Sequence, residues 1–162
     1  MIGQNWYANA NMLCKEIAER HSVPMFKVCA VMSALSVNSA WNSNQTTCRH
    51  YFATGEVRHF PAVRERIAKI MACTCPVEVI PLFGGLKTRS FYLNLLNPTP
   101  STENPPVTID RWMLRMLENT EIVTPKRYRS ASRKIYKIAK ERGLHPVSCQ
   151  AVLWCEIRGS AA

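Results

Sequence analysis

Apolar residues recur at helical spacing along most of the chain, and no segment has the alternation typical of a half-buried strand. Leu13 and Ile17 lie on one face of a first predicted helix. The run from Val28 to Leu35 is apolar on all sides, which indicates a buried central helix. We therefore expect an all-α fold.

Proline and glycine mark where most of the predicted helices begin and end, because proline is tolerated at the first helical position and glycine favours the end. The segment 97–106 contains four prolines and no apolar run, so we expect a surface loop. It is either an element of substrate specificity or a tolerated insertion. The predicted helices span 5–20, 24–35, a segment closing at Gly55, 61–71, a short helix after Pro76, a helix after Gly85, another from Asp110, 125–143 and 146–159.

The chain is strongly basic, with 21 Lys and Arg against 11 Asp and Glu and a formal net charge of +10. Its 162 residues fit one domain with its own core. Such a charge excess suggests a polyanionic partner, most simply nucleic acid, although some proteins are basic without one. No apolar run approaches the roughly 20 residues that a membrane span needs, and the N-terminus lacks the pattern of a signal peptide.

The seven cysteines are odd in number and lack the spacing of a disulfide framework. We therefore expect free thiols and a reducing compartment. The pair Cys73 and Cys75 has no second Cys/His pair at ligand spacing, so no metal site is predicted.

The predicted helix 125–143 carries much of the charge, with eight basic residues and one acid between positions 126 and 142. Usually such a face is only solvated, but the near absence of acids favours contact with phosphates. The cations Lys126, Arg129, Arg133, Lys137 and Lys140 share one face, and Tyr128, Ala131, Ile135 and Ile138 share another.

Two glycines precede the helix that begins near position 86. Gly84 and Gly85 permit a positive φ and a close backbone approach. The amides of Leu86, Lys87 and Thr88 would then open a helix, and a helix N-terminus favours anions.

Lys87 and Asp110 are the candidate catalytic residues, each in the first turn of a predicted helix. The helix dipole disfavours a cation there, so Lys87 either points into solvent or has a lowered pKa, as an amine nucleophile needs. The same dipole favours the ionised form of Asp110. The alternatives are a lysine that binds phosphate and a carboxylate that only stabilises its helix.

Three segments resemble the helix-hairpin-helix (HhH-GPD) DNA glycosylases of the endonuclease III type. Residues 82–88, Leu-Phe-Gly-Gly-Leu-Lys-Thr, resemble the hairpin that precedes the catalytic lysine, and residues 107–110, Val-Thr-Ile-Asp, the segment with the catalytic aspartate. Residues 34–38, Ala-Leu-Ser-Val-Asn, resemble a Leu-Ser-x-Gln segment that fills the space left by a flipped base. The chain departs from the family at Phe83, in place of a glycine, and at Arg89, in place of a small residue.

The resemblance implies an HhH-GPD-like fold of two helical lobes with the cleft between them. Lobe A would comprise about 24–107, including the hairpin 79–96, and lobe B about 1–23 plus 108–162. It implies a DNA glycosylase, with or without AP-lyase activity, that flips and excises a modified or damaged base. Lys87 would be the nucleophile and Asp110 the catalytic carboxylate. DNA would contact Asn38, Gly84, Gly85, Leu86, Thr88 and Arg89, together with Lys126, Arg129, Arg133 and Lys137 of the basic helix.

The amide-rich segment 37–45 supplies either caps and turns or a surface that contacts a base edge, and we favour a DNA-facing role for Asn38 alone. Some members of the family carry a four-cysteine iron–sulfur cluster near the C-terminus. Only Cys149 and Cys155 lie there, so we expect no cluster and no other cofactor. The expected partner is double-stranded DNA, bound by a monomer in the cytoplasm of a bacterial or phage-infected cell.

Two alternatives remain open. One is a phage-type enzyme that modifies DNA bases on the same fold, and the other is a non-catalytic helix-hairpin-helix module that only binds DNA.

Overall fold

The computed structural model describes residues 1–159, and within them the chain is all-helical, without a strand, as predicted. Residues 160–162, at the end of the predicted second lobe, lie outside this range. The helices are α1 (Trp6–His21), α2 (Met25–Leu35), α3 (Trp41–Thr54), α4 (Pro61–Ala72), α5 (Pro76–Val79), a 3-10 turn (Ile80–Leu82), α6 (Leu86–Leu96), α7 (Arg111–Glu118), α8 (Pro125–Arg142) and α9 (Pro146–Arg158).

The predicted helix boundaries agree with these limits to within a few residues. Prolines occupy the first positions of α4, α8 and α9. The glycines that follow α3, α8 and α9 adopt left-handed conformations, with φ of 77°, 64° and 69°. A side chain is strained in that region, so glycine ends these helices at little cost.

The buried side chains form two clusters. The first surrounds α2, whose residues from Val28 to Leu35 are all buried, which confirms the predicted central helix. The second joins the segment 107–114 to α8 and α9. The buried side chains of α1 belong to the first cluster, whereas the predicted lobe B included residues 1–23. The proposed lobe limits therefore stay a prediction.

The segment 97–106 is free of helix, and it is held to α8 and α9 by two contacts. The Tyr136 hydroxyl donates a hydrogen bond to the Pro105 carbonyl at 2.8 Å. The His145 ring nitrogen Nε2 lies 3.0 Å from the Pro100 carbonyl. The loop is therefore tied to α8 and to the residue that caps α9.

Asn94 of α6 fixes the extended segment that leads to Asp110. Its Nδ2 donates to the Pro106 carbonyl at 2.7 Å, and its Oδ1 accepts from the Thr108 hydroxyl at 2.9 Å. Asn94 is fully buried, so both ends of its amide are satisfied inside the protein. This pair of bonds sets the path of the chain from α6 to α7.

Candidate active site

An open cavity lies where side chains of both clusters meet. Lys87 and Asp110 both line it, although they come from different helices. The cavity measures about 640 Å³ when the part open to solvent is included. None of its lining residues comes from the loop 97–106. The structure thus brings the two candidate catalytic residues into one site.

Lys87 is half-buried in the first turn of α6, and its side chain donates no hydrogen bond to any residue of 1–159. Burial lowers the pKa of Lys87, since it disfavours the charged form. The negative charge of Asp110 opposes this shift, and the positive charge of Arg111 adds to it. The lowered pKa agrees with the prediction, but its main cause is burial.

Asp110 is the N-cap of α7, one position before the predicted first turn. Its Oδ1 accepts a hydrogen bond from the Met113 amide at 2.9 Å, and its Oδ2 accepts one from the Trp154 indole at 3.0 Å. The carboxylate therefore caps α7, as expected if it stabilises its helix, and it also lines the cavity. Both oxygens are held in place before any substrate arrives.

The Tyr128 hydroxyl connects the two helix starts. It donates to the Val107 carbonyl at 2.8 Å, accepts from the Ile109 amide at 3.1 Å and lies 3.4 Å from the Leu86 carbonyl. Tyr128 belongs to α8 and is 6% exposed. A side chain of the basic helix therefore sets the position of the segment before Asp110 relative to the start of α6.

Gly84 and Gly85 do not adopt a positive φ, so the turn does not use the conformational freedom that glycine permits. Gly85 is the N-cap of α6 in an extended conformation, with φ −105° and ψ 140°. A Cβ added at Gly84 would meet nothing within 4 Å, and one at Gly85 only the Thr88 hydroxyl at 3.6 Å. The backbone of this turn is therefore exposed to solvent, with little protein packed against it.

The amides of residues 86–88 have no acceptor among the described residues, because α6 has no side-chain cap. Leu86 and Arg89 are exposed beside them. The Thr88 side chain is buried, and its hydroxyl donates to the Gly85 carbonyl at 3.2 Å. Only the main-chain amide of Thr88 is left for the predicted contact with DNA.

Asn38 is exposed in the turn between α2 and α3, with a φ of 53°. It does not line the cavity, whereas its neighbours Ser36 and Ser39 do. Of the amide-rich segment, Asn44 reaches the cavity instead. The predicted contact of Asn38 with DNA would therefore be made outside the cavity.

The basic face of α8 is exposed as predicted, and its opposite face is buried in the second cluster. Lys126, Arg129 and Arg133 form no ion pair with any residue of the described part of the chain. Lys137 lies 4.0 Å from Glu141 on the same helix. Lys140 forms no ion pair within the same residues either, so four unpaired cations are available on this face.

Besides Tyr7, four aromatic rings line the cavity, and the sequence does not identify them as a group. The rings of Trp6 and Trp41 have centroids 4.7 Å apart, and Phe91 and Trp154 lie 6.1 and 6.4 Å from Trp6. Their positions in the sequence follow no common spacing, since they come from α1, α3, α6 and α9. Only the fold shows that these rings share a site.

The polar wall of the cavity includes Tyr7, Asn44 and Gln150, which the sequence also did not reveal. The Tyr7 hydroxyl donates to Gln150 Oε1 at 2.8 Å. Burial raises the pKa of Tyr7 well above its usual value, so the phenol stays protonated. Asn44 donates through Nδ2 to the Met32 carbonyl at 3.1 Å. The wall is therefore built from neutral hydrogen-bonding groups.

Within residues 1–159, no group of three or more His, Cys, Asp or Glu side chains is placed to hold a metal ion. In the same range, no helix has both the length and the apolar character to cross a membrane.

Comparison with known proteins identifies the family of the chain. Neither the curated proteins nor the solved structures contain a match to this chain. A family model, described as a family of unknown function (DUF7178), matches residues 1–161. The chain therefore belongs to the family DUF7178.

Proposed function

We propose that the protein is a DNA glycosylase of the HhH-GPD type that flips a modified or damaged base into the cavity and excises it. The observation that carries this proposal is the convergence of Lys87 and Asp110 on one cavity. An amine with a lowered pKa beside a fixed carboxylate is a combination suited to the displacement of a base from its sugar.

In the proposed reaction, the neutral amine of Lys87 attacks C1′ of the flipped nucleotide. The bond between C1′ and the base breaks, and the base leaves with its electron pair and takes up a proton. Loss of the amine proton and ring opening then give an imine between Lys87 and the sugar, and β-elimination from it cuts the strand. Asp110 stabilises the cationic sugar and assists the deprotonation.

The aromatic rings support a base as the group that enters the cavity. Bases stack favourably on aromatic side chains, whatever their sequence. An enzyme that acts on a base in a duplex must turn the nucleotide out of the stack into such a pocket. Trp6, Trp41, Phe91 and Trp154 supply rings for that contact.

Two surfaces outside the cavity support binding to the DNA backbone. The uncapped amides of residues 86–88 favour an anion such as phosphate. The unpaired cations of α8 would neutralise further phosphates. We infer double-stranded DNA as the partner, a monomer that needs no cofactor, and a cytoplasmic place of action in a bacterial or phage-infected cell.

Borohydride trapping tests the proposal directly. Duplexes that contain uracil, an oxidised base, an abasic site or a hydroxymethylated pyrimidine are incubated with the protein and reduced. We expect a covalent adduct with at least one duplex, its loss in Lys87→Ala, and its retention in Lys15→Ala. Lys15 is a suitable control because it is exposed and paired with Glu19 at 3.8 Å.

The other outcomes separate the alternatives. Base release without an adduct would mean that Asp110 activates water. An altered base in recovered DNA would support the base-modification enzyme on the same fold. Binding that weakens with salt, with neither adduct nor altered base, would contradict the proposal and leave a DNA-binding module.

A further inference from the structure

Asn44 presents a buried hydrogen-bond acceptor without a donor. It is 2% exposed and lines the cavity. Its Nδ2 donates to the Met32 carbonyl, and because a carbonyl oxygen can only accept, this contact fixes the orientation of the amide. The Asn44 Oδ1 is then left without a partner among the described residues. Buried acceptors in proteins are normally satisfied, so this oxygen points to a donor supplied by a ligand.

Gln150 presents the complementary group on the same cavity. It is 4% exposed, and its Oε1 already accepts from the Tyr7 hydroxyl. Its Nε2 donates to no residue within 1–159. The Gln150 amide therefore offers N–H groups to an acceptor in the cavity.

The hydroxyl groups on the wall add acceptors and no further donor. The Ser36 hydroxyl proton is committed to the Ser33 carbonyl at 2.7 Å, and the Thr108 proton to Asn94 Oδ1 at 2.9 Å. The Ser39 hydroxyl donates to the Ala40 carbonyl at 3.2 Å. Each oxygen keeps only lone pairs for a ligand. The free groups of the neutral wall therefore match a ligand with an N–H donor for Asn44 Oδ1 and a carbonyl acceptor for Gln150 Nε2.

We propose that the cavity selects a base with a lactam edge, in which a ring N–H lies beside a ring carbonyl. The N–H would donate to Asn44 Oδ1, and the carbonyl would accept from Gln150 Nε2. This inference rests on the proposed function, because it assumes that a flipped base occupies the cavity. It adds the chemical class of that base, which includes uracil-type pyrimidines and 6-oxopurines.

Binding to bases that differ only in the ring N–H tests the inference. The probes are duplexes with a 2′-fluoro nucleotide, which resists excision, placed opposite an abasic analogue so that no base pair is lost. Uracil is compared with 3-methyluracil, and hypoxanthine with 1-methylhypoxanthine. Affinity is measured for the unaltered protein, Asn44→Leu, and Thr47→Ala, an exchange on the same helix that leaves the cavity wall unchanged.

We expect at least one lactam base to bind about tenfold or more tightly than its methylated partner, since a site built for a donor rejects analogues that lack it. That preference should disappear in Asn44→Leu and persist in Thr47→Ala. Equal binding of both members of each pair, with all duplexes still bound, would overturn the inference alone. A preference that survives in Asn44→Leu would also overturn it. Failure to bind any duplex would contradict the proposed function as well.

Discussion

Two helices begin at the cavity, and their first turns are built in opposite ways. At α7, Asp110 caps the helix from within the protein, and its carboxylate also accepts from the Trp154 indole. At α6, the N-cap is Gly85, which has no side chain to offer, and three amides are left without an acceptor. One helix start is satisfied by the chain, and the other is open.

The two helix starts are therefore suited to different roles at one site. The closed start of α7 holds a negative charge at a fixed place, which suits a group that must meet a positive charge in the transition state. The open start of α6 leaves room and hydrogen-bond donors for an external anion. Lys87, in the first turn of this open helix, lines the same cavity as Asp110.

Replacing the charge at α7 while keeping a cap should have the largest effect. Asn is as good an N-cap as Asp, so Asp110→Asn should retain the Met113 contact. It loses the acceptor for Trp154, at a cost of about 1 kcal/mol in the free energy of unfolding. Glycosylase activity should fall about 100-fold or more, because the carboxylate charge is gone. Excision assays and urea unfolding measure the two effects.

Trp154→Phe is the matched control, since it removes the same indole contact and leaves the carboxylate. Its stability should resemble that of Asp110→Asn, and its activity should stay well above that of the Asn variant. Full activity in Asp110→Asn would show that Asp110 is only a helix cap.

Closing the open start of α6 should have a smaller effect. The extended backbone at Gly85 accepts a side chain, so Gly85→Asp should cap α6 and raise the free energy of unfolding by a few tenths of a kcal/mol. The new carboxylate would occupy the amides and repel phosphate, so affinity for duplex DNA should fall by roughly tenfold. Fluorescence anisotropy at fixed salt measures it.

Gly85→Ser supplies a cap without the charge and should bind DNA with an affinity between those of the unaltered protein and Gly85→Asp. An Asp variant that binds as tightly as the unaltered protein would mean that no phosphate reaches this helix.

The charges that flank Lys87 should shift its titration by smaller amounts and in opposite directions. The initial rate of adduct formation should rise with pH and level off below the ordinary lysine pKa of about 10.4, because burial lowers the pKa of Lys87. Arg111→Ala removes a like charge and should move the midpoint to higher pH. Asp110→Asn removes an opposite charge and should move it to lower pH. Trapping rates across a pH series measure these shifts.

The same linkage gives the sign of a stability effect. Between the lowered pKa of Lys87 and its ordinary value, the unfolded chain holds more protons than the folded chain, so the free energy of unfolding from this group should rise with pH. In the trapping experiment, a pH midpoint of adduct formation that does not move in Arg111→Ala would show that the charge of Arg111 does not lower the pKa of Lys87.

The helices could be predicted from sequence because their signals are local. The signals are the apolar spacing, the prolines at helix starts and the glycines at helix ends, and each acts within a few residues. They predict the boundaries of α4, α8 and α9 to within a residue or two. The conformation of Gly84 and Gly85 could not be predicted in this way. Glycine permits a positive φ without requiring one, and here the preceding 3-10 turn leads into α6 through extended backbone.

The site was only partly predictable, for a related reason. Lys87 and Asp110 are marked by their positions at helix starts, which sequence can indicate. Asn44 and Gln150 become notable only because the fold buries one amide oxygen and occupies another. Nothing in the local sequence distinguishes Asn44 from the other amides of its segment, and the resemblance to the glycosylases favours Asn38.

Because of the contacts of Tyr128, the candidate active site can form only late in synthesis. Its hydroxyl fixes the chain next to both helix starts, yet it belongs to α8, well after Lys87 and Asp110 in the chain. Trp154 and Gln150 follow later still, on α9. A nascent chain that has left the ribosome only as far as α7 would contain Lys87 and Asp110, but the contacts that fix their relative positions would not yet have formed. The protein would thus acquire its proposed chemistry only when its last two helices have emerged and packed.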